Sequence, residues 1–234
     1  MSKVTTSTKS LFRATKAKPK RGPGFDRDWP TQSAPEDARR DDDYYPTGQP
    51  EAIRSLLARD WDRISDLRGV WDPSCGDGAM VREIRAAGLP CIASDLVDRG
   101  CPASFERDFF TTTRSPAPVI ITNPPYNLIN ARDGHGRWLR HTLDLPEWRY
   151  CALLLSWDWP AARANGLGAM LDAHPFTRCY LMRWKLDFTG AGSPPQRNAW
   201  FVWDRDDVRS SAGPHPDFCW LERDADRRQP QFDL

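Results

Sequence analysis

The sequence has little of what a zinc-bound or disulfide-built protein needs. Its six cysteines, at 75, 91, 101, 151, 179 and 219, include no Cys-x-x-Cys pair, and histidine occurs only four times. That spacing speaks against a metal centre, and none is expected. No apolar run approaches the roughly 18 residues of a membrane-spanning helix, and no apolar leader opens the chain. A soluble, cytoplasmic protein of a reducing compartment is expected, with no membrane partner. Acid is missing before Asp26, where seven basic residues stand: Lys3, Lys9, Arg13, Lys16, Lys18, Lys20 and Arg21. The whole chain is net +1, so everything after this arm is net acidic. That distribution argues against a strongly basic domain that wraps nucleic acid, but not against a tail that touches phosphates. An organelle transit peptide has a similar composition, but Pro19, Gly22, Pro23 and Gly24 interrupt any amphipathic helix in the arm.

What is present fits one α/β domain with a sizeable core, since 234 residues are tight for two. Residues 1–40 are poor in aliphatics and cannot bury enough apolar surface to order themselves, so they read as a disordered basic arm. The domain itself is expected over 41–204, and 205–234 read as a polar tail with Phe218 and Trp220 as isolated anchors. Apolar residues at 52, 53, 56 and 57 suit a helix over Glu51–Ala58. Beyond it, short apolar runs alternate with helical segments. Strands are expected at Leu67–Trp71, Cys91–Ser94, Val119–Thr122, Tyr150–Ser156, Phe176–Arg183 and Ala199–Trp203, with a helix over Ala79–Ala87. Strands separated by helices imply a mostly parallel, doubly wound sheet. Ligands bind such a sheet beyond the carboxyl ends of its strands. Asp72, Asp95 and Asn123 each terminate an expected strand.

The first strand runs into Asp72-Pro73-Ser74-Cys75-Gly76-Asp77-Gly78. Glycines two apart let the backbone turn tightly and approach a ligand. The third glycine of a dinucleotide fingerprint is absent, because Val81 takes its place, and this disfavours a pyrophosphate. Asp72 disfavours an anion as well and suits a positive amine. Asp95 stands 17 residues after Gly78, about where an acid that accepts two ribose hydroxyls belongs. S-adenosylmethionine (SAM) has an amine, a ribose and an adenine, and no phosphate. On their own, the glycines can be a plain loop and Asp95 a helix cap.

Val119-Ile120-Ile121-Thr122-Asn123-Pro124-Pro125-Tyr126 is the most specific stretch. Two prolines fix φ and remove two donors, and the residue before a proline is pushed out of the helical region. Asn123 is thus held extended at a strand end beside the carbonyl of Pro124. Its side-chain oxygen and that carbonyl can both accept hydrogen bonds from one NH₂ group, turning the nitrogen lone pair toward an electrophile. Tyr126 offers a ring on which a flat substrate can stack. The plainer alternative is a rigid strand exit with a buried tyrosine.

At these residues the chain resembles the amino-methyltransferases with a Rossmann-like SAM domain, above all the small phage- or prophage-type DNA adenine methyltransferases. The resemblance covers about residues 44–204. It implies a class I methyltransferase fold: a mostly parallel seven-stranded sheet, an antiparallel C-terminal strand and helices on both faces. It implies a SAM loop at Asp72, Cys75, Gly76 and Gly78, a ribose acid at Asp95, and Asp108-Phe109 against the SAM adenine. Asn123, Pro124, Pro125 and Tyr126 match the catalytic loop. Tyr45-Pro46-Thr47-Gly48 is similar to a Tyr-x-Thr-Pro segment at the methionine end of SAM, which places Tyr45 and Thr47 there, with Gly48 where proline is usual. Asn123 stands where many of the DNA adenine enzymes have Asp. The implied partner is nucleic acid, DNA first, bound by a monomer or weak dimer. An RNA base or a protein glutamine is the alternative substrate, and a non-catalytic SAM-binding scaffold the alternative role. Neither 127–149 nor the segment after Asp204 is long enough for a full target-recognition domain, so short or relaxed sequence recognition, or dependence on a partner, is expected.

Three further features stand outside these motifs. Eleven tryptophans are many for this length, with clusters at Trp157-Asp158-Trp159 and Trp200-Phe201-Val202-Trp203. They read as core packing first and as base-stacking surfaces second. The stretches Arg132–Arg137 and Phe188–Asn198 are glycine-broken loops that can be plain connectors or can carry polar contacts to substrate.

Overall fold

The computed structural model describes residues 47–130, 136–161, 166–188, 196–207 and 215–223. The basic arm and Tyr45 lie outside the described residues, as do most of the two glycine-broken loops. One sheet of eight strands carries the fold, in the order β3-β2-β1-β4-β5-β7-β6-β8. The strands are β1 (Val70–Asp72), β2 (Cys91–Asp95), β3 (Ser104–Glu106), β4 (Val119–Thr122), β5 (Tyr150–Ser156), β6 (Arg178–Met182), β7 (Asn198–Asp204) and β8 (Asp217–Leu221). Neighbours from β3 through β5 pair in parallel, β7 runs antiparallel to both β5 and β6, and β8 is parallel to β6.

The central strands are apolar on both faces because both faces are covered. Val70, Val119, Ile121, Tyr150, Ala152 and Leu154 face α1 (Glu51–Leu67) and α2 (Ala79–Ala86) in one core. Trp71, Ile120, Cys151, Leu153 and Leu155 face α4 (Arg137–Asp144) and α5 (Leu167–Ala173) in the other, near the short α3 (Tyr126–Ile129). Residue-by-residue alternation between two cores is what a period of two dictates for a strand covered on each side. Among the described residues seven tryptophans are buried, and four of them direct the indole N–H to backbone oxygens: Trp200 to Ala52 (2.9 Å), Trp148 to Thr142 (2.7 Å), Trp203 to His174 (3.0 Å) and Trp159 to Ile129 (3.4 Å).

Helix α1 runs to Leu67, much further than the apolar spacing at its start indicates. Leu67, expected to open the first strand, instead closes the helix, which Arg68 terminates in the left-handed region at φ +56°. The amphipathic pattern simply continues, with Ile64 buried one turn before the end. A polar network pins this helix to the sheet: Asp60 accepts hydrogen bonds from the hydroxyls of Tyr150 (2.8 Å) and Tyr180 (2.7 Å). Arg178 bridges Asp60, Asp204 and Asp207, and Arg63 reaches Asp204. These residues gather where β5 and β6 begin, at the opposite end of the sheet from Asp72 and Asn123.

The eighth strand lies inside the stretch expected to be a polar tail. Phe218 and Trp220 point to one face of β8, while Leu221 is buried in the first core and Cys219 packs against it. Asp217 opens the strand and Glu222 follows it, and Asp217, Phe218 and Trp220 remain exposed, so its composition reads as surface. The sheet therefore gains an edge strand past Asp204 and numbers eight rather than seven.

Candidate active site

The chain leaves β1 for β2 and β3 on one side of the sheet, then returns to β4 on the other side of β1. Loops diverge at this switch point and open a crevice. A cleft of about 270 Å³ occupies it, lined from the carboxyl ends of four adjacent parallel strands. Pro73 to Asp77 come from the end of β1, Asp95 and Leu96 from β2, Arg107 to Phe110 from β3, and Asn123 to Pro125 from β4.

The turn after β1 needs its glycines. Gly76 and Gly78 have φ of +53° and +81°, and Gly78 caps the start of α2. A Cβ on Gly78 would stand 2.6 Å from the sulfur of Cys101. Asp95 closes the turn: its Oδ2 accepts the Gly76 backbone N–H at 2.8 Å. Cys75 lines the cleft but is otherwise buried with Val81, Ala93 and Cys101, and burial pushes its thiol pKa far up, which keeps it in the neutral form.

Asp72 sits behind the turn, wholly buried and off the cleft wall. Its Oδ1 accepts hydrogen bonds from the Thr122 hydroxyl (2.7 Å) and the Ser74 N–H (3.2 Å), while Oδ2 has no hydrogen-bond partner. Burial raises its pKa to about 7, against the pull of those two donors and helped by the nearby charge of Asp95.

The Asn-Pro-Pro-Tyr segment leaves β4 as expected, and Pro125 stays extended at ψ 115° before the α3 turn. The Asn123 Nδ2 donates to the Thr47 hydroxyl at 3.1 Å, so a residue far upstream is drawn to the Asn-Pro-Pro-Tyr segment and lines the same cleft. Tyr126 is half-buried at the head of α3, and its hydroxyl accepts from the Nδ2 of Asn198 at 3.3 Å. Asn198, the first residue of β7, is buried.

Asp108 and Phe109 both line the cleft. Asp108 caps a short 3₁₀ turn by accepting the Phe110 N–H at 2.9 Å. The Phe109 ring is largely committed to the core, stacked on Trp138 with centroids 4.3 Å apart and tilted against Trp71 at 5.7 Å. Phe110 is the more open ring, with the Arg137 guanidinium 4.9 Å above it.

Of the residues singled out from sequence, the fold brings Thr47, Cys75, Gly76, Asp95, Asp108, Phe109, Asn123, Pro124 and Pro125 to one cleft. Asp72, Gly78 and Tyr126 support it from behind. Sequence reasoning missed Leu96, Phe110, Arg99 and Arg107. Leu96 and Phe110 directly follow residues that were found, so proximity in sequence was the available signal. Arg137 and Asn198, the last residues of the two glycine-broken loops read as plain connectors or carriers of polar contacts, reach the cleft wall and the Tyr126 hydroxyl. Among the described residues there is no group of three or more His, Cys, Asp or Glu placed to hold a metal, and no helix long and apolar enough to cross a membrane.

No protein-family model matches the sequence, and no curated protein does. Solved structures do match in fold. A Listeria monocytogenes protein assigned as a class I SAM-dependent methyltransferase superposes with a TM-score of 0.53 at 11% identity, covering 76% of this chain and 66% of that one. A Pyrococcus horikoshii protein assigned as an RNA methyltransferase gives a TM-score of 0.49 at 11% identity, over 65% and 82% of the two chains. The EcoKI M protein of a type I restriction enzyme gives 0.49 at 13% identity, over 82% of this chain and half of its own length. The strand order, the single antiparallel strand and the superposition together give this chain the Rossmann-like fold of the class I methyltransferases.

Proposed function

We propose that the protein transfers a methyl group from SAM to an exocyclic amino group of a nucleobase, N6 of adenine in DNA. One observation carries this reading: the Asn123-Pro124-Pro125 segment opens into the same cleft as the Gly76 turn and Asp95. Donor for donor, the cleft suits SAM. The buried, unpartnered Oδ2 of Asp72 under the turn favours a cationic amine over a phosphate. Asp95, whose Oδ2 also accepts the Gly76 N–H and whose Oδ1 also accepts the Val97 N–H at 3.4 Å, is the ribose acceptor, and Leu96, Phe109 and Phe110 are apolar neighbours for an adenine. Thr47 stands at the end of the cleft next to Asn123.

When bound, SAM supplies a methyl group made electrophilic by its sulfonium. The chain's own contribution is position and charge. Oδ1 of Asn123 and the carbonyl of Pro124 accept the two amino hydrogens, which turns the nitrogen lone pair toward the methyl group. Holding both reactants this way replaces a bimolecular encounter. The same two oxygens stabilise the positive charge that grows on the nitrogen. The Thr47 contact commits the Asn123 amide nitrogen, and the proposed role uses only its oxygen. Tyr126 stacks on a base flipped out of the helix, with Asn198 fixing its hydroxyl. Arg107 and Arg137 bring positive charge to the cleft wall for the substrate's phosphates.

Transfer of label from SAM to duplex DNA, single-stranded DNA, RNA and cell protein in parallel, followed by nucleoside analysis, tests the substrate. N6-methyladenine in DNA is expected, and label in protein or RNA alone overturns the assignment. Replacing Asn123 with Ala is expected to abolish transfer while SAM still binds, and near-full activity of that variant refutes the mechanism.

A further inference from the structure

We propose that Trp157, Phe218 and Trp220 form a platform on which unpaired bases of a DNA strand stack beside the target nucleotide. The choice of DNA as occupant rests on the methyl-transfer reading above. The three side chains are 42%, 45% and 53% exposed, among the few large apolar groups left open on the described surface. They touch one another: Phe218 meets Trp157 edge-on at 5.6 Å and Trp220 at 5.0 Å. Clusters of this kind on a surface mark contact sites.

Placement ties the cluster to the catalytic loop. Trp157 is the first residue beyond β5, as Asn123 is the first beyond the adjacent parallel strand β4. The Trp157 N–H donates to the carbonyl of Arg197 at 2.9 Å, and the next residue, Asn198, donates to the Tyr126 hydroxyl. The ring proposed to hold the target base and the exposed rings thus share one rim. Phe218 and Trp220 pair with Cys179 and Leu181, which places them on the sheet face that carries Leu153, Leu155 and Phe201.

Guanidinium groups border the rings, together with the exposed carboxylates of Asp158 and Asp217. The Arg183 guanidinium lies 5.2 Å above the Trp220 ring, and Arg197 donates to the Arg183 carbonyl at 3.2 Å. Arg183 also pairs with Glu222 at 2.5 Å, in a bridge that is itself half exposed. Flat rings next to guanidinium groups are what an unpaired strand needs, because every base has a π-face and every nucleotide a phosphate. A second copy of this chain fits less well. Together the rings expose roughly 300 Å², well short of the ~800 Å² per partner of a stable interface.

The test is binding of a short fluorescein-labelled oligothymidylate, read by anisotropy at low salt, with oligouridylate in parallel. Trp157→Ala and the double variant Phe218→Ala/Trp220→Ala are compared with the wild-type full chain. Each variant is expected to bind the DNA strand about 10-fold more weakly, with SAM affinity and thermal midpoint unchanged. Equal affinity in all three proteins, or a wild type that does not bind the strand, overturns the proposal. So does a loss confined to oligouridylate, or a dimer-to-monomer change in sedimentation with DNA affinity intact. The two readings fail separately. A wild type that methylates DNA while the variants bind it equally well sinks only the platform. A wild type that binds the strand through these rings but methylates no nucleic acid sinks only the methyl-transfer reading.

Discussion

Replacing Asp72 with Asn should change how the fold responds to pH. Asp72 is wholly buried and its pKa is raised to about 7, burial being the main cause. An unfolded Asp titrates near 3.9, so the folded state keeps a proton that the unfolded state has lost. For a raised acid the stabilisation is complete below the unfolded pKa and drains away as pH climbs to the folded one. Each unit in that window costs about 1.4 kcal/mol. Between pH 5 and pH 7 the wild type should therefore lose roughly 2–3 kcal/mol through Asp72. Asn at 72 keeps an acceptor for Thr122 and Ser74 but cannot ionise. Other titrating groups cancel when the two proteins are compared at each pH. Urea unfolding at pH 5, 6 and 7 should show the stability difference moving in favour of Asp72→Asn by that amount. A difference that stays constant within about 0.5 kcal/mol refutes the reasoning. The same charge predicts SAM affinity in the wild type rising as pH passes about 7, because only the carboxylate attracts the amine, while the variant binds SAM weakly at every pH.

Three more outcomes follow from the geometry. Gly78→Ala should cost about 2–4 kcal/mol, combining the left-handed φ with the clash on Cys101; denaturant unfolding checks this, and adding Cys101→Ala should return the steric part only. Asn198→Ala should raise KM for DNA about 5-fold through loss of one hydrogen bond on Tyr126, with SAM affinity unchanged, measured by steady-state transfer. Asp60→Ala strands the hydroxyls of Tyr150 and Tyr180 and should destabilise by about 2–4 kcal/mol with SAM binding intact below the melting range, measured by urea unfolding and titration.

Local chemistry made much of this molecule legible in the chain itself. Val119–Thr122 and Tyr150–Ser156 form strands with the bounds their composition indicates, because a continuous β-branched or aliphatic run buried on both faces has no competing arrangement. The turn at Gly76 and Gly78 and the double proline after Asn123 are backbone constraints, and such constraints act through neighbours in sequence. Tertiary structure alone decided the rest. It drew Thr47 to Asn123 and Asn198 to Tyr126 across 76 and 72 residues, and it committed Phe109 to the core while leaving Phe110 open. It also made a strand of Asp217–Leu221, whose exposed residues hide its pairing with β6. Periodicity and turn chemistry report what a residue does with its neighbours along the chain. Which side chains meet across the switch point depends on strand order, which no short stretch of sequence encodes.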